Sequence, residues 1–362
     1  MNKNLWAFLL VASAGTSAVN ANAAIDATPP VLLPLAQQAQ AAKLSAEILT
    51  RSHYKKVPLD DAMSSRIFDR YLKDLDGEKL FFMQADIDGF AGVRGKLDDA
   101  IYRDDLQMPF SIFNLYQRRI IERLTYSQEL LKKGFDFSDK ETYQIERDKG
   151  PWPVSAVELR DLWRKRVKSD WLRLKLAGSD DKVIRTTLSK RYEHALAGAR
   201  KVKSEDVFQL FMNAYTMSIE PHTNYLGPKA SEEFDISMRL SLFGIGAVLS
   251  ENEEYTTIRE LVPGGPAALS NRLKVGDRIA RVGEAGSVAL TDVVGWRIND
   301  VVDLIRGSKG SQVVLEILPA ASGLDGKLER ISLVRDKINV AQRPPRNPSS
   351  RPESVASPAR SV

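Results

Sequence analysis

From about Pro34 to Glu233, apolar residues recur every three or four positions, the period of helices packed on one face. The stretch LDDAMSSRIFDRYLKDLDGEKLFF sets Met63, Ile67, Phe68, Tyr71, Leu72 and Leu75 on one side, with Asp60 where an N-cap belongs. In ELRDLWRKRVKSDWLRLK the apolar stripe is Leu159, Trp163, Val167, Trp171 and Leu174. SAVE, Ser155 to Glu158, has capping-box spacing before that helix, and SDKE, Ser138 to Glu141, has it again. SEDVFQLFMNAYTMSI predicts a further helix from Ser204, running into EPHTNYLGP. KGPWP, Lys149 to Pro153, separates helices, because proline restricts the residue before it.

After Phe234 the period changes. DISMRLSLFGIGAVLS alternates and then runs apolar, and YTTIRELV, DRIARV, SQVVLEIL and ERISLVR follow as β-rich runs. Between them lie short turns, a short helix PAALSN with Pro266 in its first turn, and a helix-like GWRINDVVDLIRG. Gly264 and Gly265 permit a tight entry into the first helix, and Gly276-Asp277 a turn before RIARV. The expected class is α+β: an all-α N-terminal domain over 24–233, then a small β-barrel or sandwich with two helices over 234–336.

Composition narrows the chemistry. The chain has 362 residues, no cysteine and three histidines, His53, His194 and His222, far apart in sequence. That excludes a disulfide framework, a thiol nucleophile and a local metal motif, so neither a metal nor a cofactor is expected. The net charge is +5, but four arginines lie after Val340 and Lys3 alone is charged in the first 23 residues. The body between is nearly neutral, so no nucleic-acid footprint is read from the charge. RKRVK, Arg164 to Lys168, reads as the solvated face opposite the tryptophan stripe. His222 stands beside Glu220, and the pair reads as a turn-fixing contact, the alternative being an acid–base pair.

The first residues have the form of a signal peptide: Lys3, the apolar LWAFLLVASAGTSAV, then ANA at Ala21 to Ala23. Cleavage after Ala23 and export to a bacterial periplasm are expected, with no stable membrane insertion afterwards. The chain after Val340 is of another kind. Residues 341–362 hold five prolines, five serines and four arginines and no aromatic residue, the composition of a disordered basic tail.

LFGIGAVL, then LVPGGPAALSNRLKVGDRIARVG, then DVVGWRINDVVDLIRGSKGSQVVLEIL together resemble a PDZ domain of the bacterial, circularly permuted type. They are most similar to that of the carboxyl-terminal processing peptidases, in the tail-specific protease branch. EPHTNYLGP is similar to that branch's turn before the PDZ, and the resemblance runs to about Val340. It implies β-augmentation: a protein C-terminus with an apolar last residue adds as a strand beside IGAVL. The amides of Phe243, Gly244 and Ile245 would form the carboxylate loop, and Ile245, Ala247, Val302 and Ile305 the side-chain pocket, with Gly246 also counted as peptide-binding. The glycine-rich stretch from Val262 would then support the groove without touching ligand. In the family the PDZ serves a Ser/Lys-dyad peptidase module acting on cell-envelope proteins. That module's motifs have no counterpart here, and Ser308-Lys309 reads as a turn, so no catalytic residue is assigned. The expectation is a substrate-recognition part of a periplasmic endopeptidase, truncated by a frameshift or stop near Val340 and inactive alone. The alternative is a secreted, non-catalytic adaptor for C-terminal peptides, its tail a genuine one.

Overall fold

Helices α1 (Ala36–Ser52) and α2 (Asp61–Asp76) open the described chain, followed by two short helices, α3 (Gln84–Gly89) and α4 (Leu97–Tyr102). The structure is a computed structural model and describes residues 29–239, 241–252, 254–287, 289–322 and 327–339. The expected signal peptide and basic tail lie outside the described residues. The Asp60 carboxylate accepts the Met63 amide and caps α2, as its position predicts. The predicted face of α2 is buried throughout, with Met63, Ile67 and Tyr71 inaccessible to solvent. Beyond the helix, Asp76 accepts the amides of Leu80, Phe81 and Phe82 at 2.7–2.9 Å and shapes the turn after α2.

Helix α5 (Gln107–Lys133) is the longest, and at 27 residues it spans about 40 Å. Its first half packs with α1, α2, α4 and α8 (Ser204–Ile219) around Phe110, Phe211 and Tyr215. Its second half packs with α6 (Ala156–Leu176) and α7 (Asp181–Arg200) around Trp163, Trp171 and Leu188. The helical region therefore has two cores threaded by one helix. The Trp163 indole N–H donates to Leu80 O at 2.6 Å, tying the second core to the turn after α2.

Two expectations fail here. SDKE starts no helix: residues 134–155 carry no helix, and Asp136, not Glu141, makes the local turn with Ser138. Glu141 is drawn to α6, where Arg164 and Lys168 both bond its carboxylate. Those two partners, opposed by burial, hold the carboxyl well below its usual range, at about 2. Lys168 is accordingly buried, so RKRVK is not wholly a solvated face. At Ser155 the cap does form, its hydroxyl accepting the Glu158 amide, while Glu158 reaches back to Val154 N.

The second correction concerns where the strand period begins. Residues Pro228–Arg239 form a helix, α9, although the alternation after Phe234 predicts a strand there. Ile236, Met238 and Leu242 mimic alternation, but the upstream PKASEE consists largely of helix-compatible residues led by a proline suited to the first turn. The sheet begins after it. β1 (Ser241–Gly244) pairs with β8 (Asp336–Asn339), closing the domain where its chain enters and leaves. The main sheet is antiparallel in the order β2 (Ala247–Asn252), β3 (Tyr255–Leu261), β4 (Arg278–Glu284), β6 (Gln312–Leu318), β7 (Glu329–Val334), with β5 (Thr291–Asp292) on β4. Helices α10 (Pro266–Ser270) and α11 (Ile298–Ile305) complete it. Its core holds Ile258, Ile279, Val282, Val301, Val313, Leu315 and Ile331.

Candidate peptide-binding groove

β2 is an edge strand: β3 occupies one side, and no described strand occupies the other. Across from that free edge stands α11. Between them lies a cleft of about 610 Å³, closed at one end by the Gly244–Gly246 loop and bordered by α9. An unpaired edge beside a partly apolar cleft is a template for another strand.

The loop is held by the glycine-rich stretch. Val262 N donates to Gly246 O and Ala267 N to Ile245 O, both at 2.8 Å. Gly264 (φ +75°) turns the chain, and Pro266 opens α10 at a position where its missing N–H is not required. Gly246 has φ +74°, and a β-carbon there would lie 3.1 Å from Gly265 Cα and from Ile338 Cδ1. β8, the loop and the entry to α10 meet so closely at this point that a β-carbon on either glycine would push its neighbours back by a few tenths of an ångström. With both loop carbonyls engaged, the Ile245 and Gly246 amides donate no hydrogen bond to another described residue. Both residues are buried. Unpaired buried N–H groups are uncommon and call for an acceptor. Adjacent donors at a glycine turn are the arrangement that binds an anion.

Of the residues read from the sequence, Gly244, Ile245, Gly246, Ala247, Val302 and Ile305 all line the cleft. Phe243 does not: it pairs with Lys337 within the β1–β8 ladder, and its side chain is 44% exposed away from the cleft. Phe243 and Gly244 lie in the β1–β8 ladder, where successive amides point alternately toward and away from the partner strand; of the expected trio the Ile245 amide, together with that of Gly246, has no acceptor among the described residues. Val302 is half-buried at the cleft, whereas Ile305 is a core residue touching the cleft by its edge. Sequence reading missed Ile298 and Asn299 at the start of α11, and Ile236 of α9. The first two sit one helical turn before Val302, a signal that was present.

It also missed Arg335, whose side chain is 1% exposed. Its guanidinium donates to Leu304 O (3.0 Å) and Ile305 O (2.8 Å) and pairs with Glu284. Those carbonyls belong to the last turn of α11, which lacks intrahelical partners for them. Arg335 thus pins the groove helix to the sheet. Gly307 is small for the same reason, since a β-carbon would meet the guanidinium at 2.9 Å.

The other end of α11 is held by the helical region. Asp300 bonds Lys203 (2.5 Å) and Lys229 (2.8 Å), and Arg297 bonds Asp206. Burial raises the Asp300 carboxyl, but the two ammonium groups outweigh it and the net shift is downward. The Asp206 carboxylate raises the Arg297 guanidinium. Groove and helical region are therefore joined by charge at the first turn of α11.

Glu220 organises the turn before α9. Its Oε2 accepts the His222 amide at 3.0 Å and lies 3.1 Å from His222 Nδ1, while Oε1 accepts the Thr223 hydroxyl. That hydroxyl contact, opposed by burial and helped by His222, brings the carboxyl down to about 2. A carboxylate so committed fixes a turn. Ser308 and Lys309 follow α11 in a turn, with Lys309 Nζ 3.5 Å from Asp336. Among the described residues no group of three His, Cys, Asp or Glu is placed to hold a metal.

Comparison with known proteins follows this division. The profile of the tail-specific protease N-terminal domain matches residues 45–229, and that of the PDZ domain residues 233–318. A tail-specific protease of Haemophilus influenzae is 39% identical over 345 residues, covering 94% of this chain and 49% of that protein. The carboxy-terminal processing protease CtpA of Bacillus subtilis is 32% identical over 122 residues, covering 33% of this chain and 24% of that protein. The chain thus spans about half the length of the first relative and about a quarter of the second. Among solved structures, a PDZ domain of a carboxy-terminal protease from Vibrio cholerae, in complex with peptide, is 57% identical. It covers 27% of this chain and 98% of that one, with a TM-score of 0.26.

Proposed function

Because this chain belongs to the tail-specific protease family, we propose that its PDZ domain captures protein C-termini with apolar last residues, as the recognition part of a tail-specific endopeptidase. The single observation that carries this is the pair of amides, Ile245 and Gly246, that have no acceptor among the described residues, at the head of the β2 edge that no described strand covers. A C-terminal carboxylate accepts from both. The peptide behind it adds to β2 as a strand, and main-chain hydrogen bonds supply affinity independent of sequence. Its last side chain enters between Val302 and the loop, where Ile245 and Ile305 provide an apolar floor. The helical region holds the domain through the first turn of α11. No residue of this chain is given the bond-breaking step. The N-terminal Lys3, apolar stretch and ANA site support work outside the cytoplasm, in a periplasm, on cell-envelope proteins.

The test is fluorescence anisotropy with labelled peptides ending in an apolar residue, as free acid and as C-terminal amide. Hydrogen bonds to a charged acceptor contribute about 1.5–3 kcal/mol, so amidation should weaken binding at least about ten-fold. Equal binding of both forms would refute the carboxylate loop and with it the reading.

A further inference from the structure

We infer that Arg259 reads the penultimate residue of the bound peptide and favours glutamate there. The inference rests on the groove reading above and names a part of the peptide that reading leaves open. β2 and β3 pair in regular register except at one place: Val248 faces Glu260 and Leu249 faces Ile258, leaving Arg259 as an extra residue in β3. Such a bulge bends the strand and re-aims a side chain. Ile258 and Leu261 pack on the core, so the bulge puts Arg259 and Glu260 together on the outer face, where Arg259 is exposed. Arg259 nevertheless lines the cleft together with Val248, so the cleft wraps around the β2 edge onto that face.

An added strand alternates its side chains between the two faces. With the terminal side chain directed inward at Ile245 and Val302, the penultimate one points outward beside Val248. Strands lie about 4.8 Å apart, so this residue stands about 10 Å from β3, two strand spacings away. Neither partner bridges that distance alone. An arginine and a glutamate reaching toward one another do so, and an aspartate is shorter by one methylene. Among the described residues the Arg259 side chain has no hydrogen-bond or ion-pair partner, although Glu260 is its neighbour in sequence. The other arginine at the cleft, Arg306, already faces Glu233 at 3.8 Å. Among the described residues Arg259 is thus the cation lining this groove that is still open to an acidic side chain.

The experiment uses the full chain and peptides identical except for Glu, Gln or Lys before a common apolar last residue, each as free acid and as amide. A solvent-exposed pair is weak, so the glutamate peptide should bind about two- to five-fold more tightly than the glutamine peptide. The lysine peptide should be weakest, and the spread should shrink in about 0.5 M salt. Arg259→Gln should abolish the preference, and Arg259→Glu should reverse it toward lysine. A preference that is absent, or that persists in Arg259→Gln, overturns the inference while amide discrimination leaves the groove reading standing. Loss of amide discrimination, or no binding of any peptide, overturns both.

Discussion

Replacing Gly246 by alanine tests the central geometric claim, that the loop at the head of the groove is held by close packing. The alanine meets two penalties. Its φ of +74° lies in the left-handed region, which costs a residue with a β-carbon about 1–2 kcal/mol. The new methyl would also stand 3.1 Å from Gly265 Cα and Ile338 Cδ1 and 3.6 Å from Val262 Cβ. Gly265 cannot withdraw freely, because its amide bonds Val262 O and the next turn bonds Ile245 O through Ala267 N. Forcing a methylene into such a place costs about 1–3 kcal/mol. The sum, about 2–5 kcal/mol, falls on the PDZ domain alone. Gly264→Ala is the matched control: its φ is +75°, yet nothing lies within 4 Å of its β-carbon, so only the backbone strain applies. Urea unfolding read by hydrogen-exchange mass spectrometry resolves the segments 241–262 and 61–76 separately. We expect the PDZ transition of Gly246→Ala to fall at least twice as far as that of Gly264→Ala. Segment 61–76 should be unmoved, and anisotropy should show peptide binding lost. Equal losses in the two variants would show that the loop gives way easily, and the packing argument would be wrong.

Arg335→Met should destabilise the PDZ domain by about 2–4 kcal/mol, because two helix-end carbonyls lose a buried donor, and exchange at 298–305 should quicken most. Asp76→Ala removes the acceptor of three amides in a residue only 2% exposed, and should lower the urea midpoint of the helical region by about 2–5 kcal/mol equivalent. The Asp300 carboxyl is depressed when docked, so its contribution is present at neutral pH and is lost as pH falls from its ordinary value through the docked one. Exchange at 297–303 should therefore rise on acidification, and Asp300→Asn should raise it at neutral pH and remove that part of the pH response; an unchanged response would exclude the ion pairs as the tie.

The sequence by itself determined the two kinds of backbone and much of the groove. Regular spacing dictates the helices carrying Met63 to Leu75 and Leu159 to Leu174, since an apolar stripe has stability only when one face is buried. Alternation dictates β3, β4, β6 and β7, and the glycines at 246, 264 and 265 mark where backbone must approach backbone. Local signals failed where distant charge intervened. A capping-box pattern at Ser138 yields no helix because Glu141 gains more from Arg164 and Lys168 across 23 and 27 residues. Alternation at 236–242 mimicked a strand because a helix end and a strand start share apolar residues there. Only the tertiary structure decided that β1 pairs with β8 across nearly a hundred residues, which sets Phe243 on a strand outside the cleft lining. It likewise decided that Arg335 caps α11 and that Asp300 and Arg297 tie α11 to the helical region. A charge in a sequence has no direction; its partner is set by how separate elements pack, and packing depends on the whole chain.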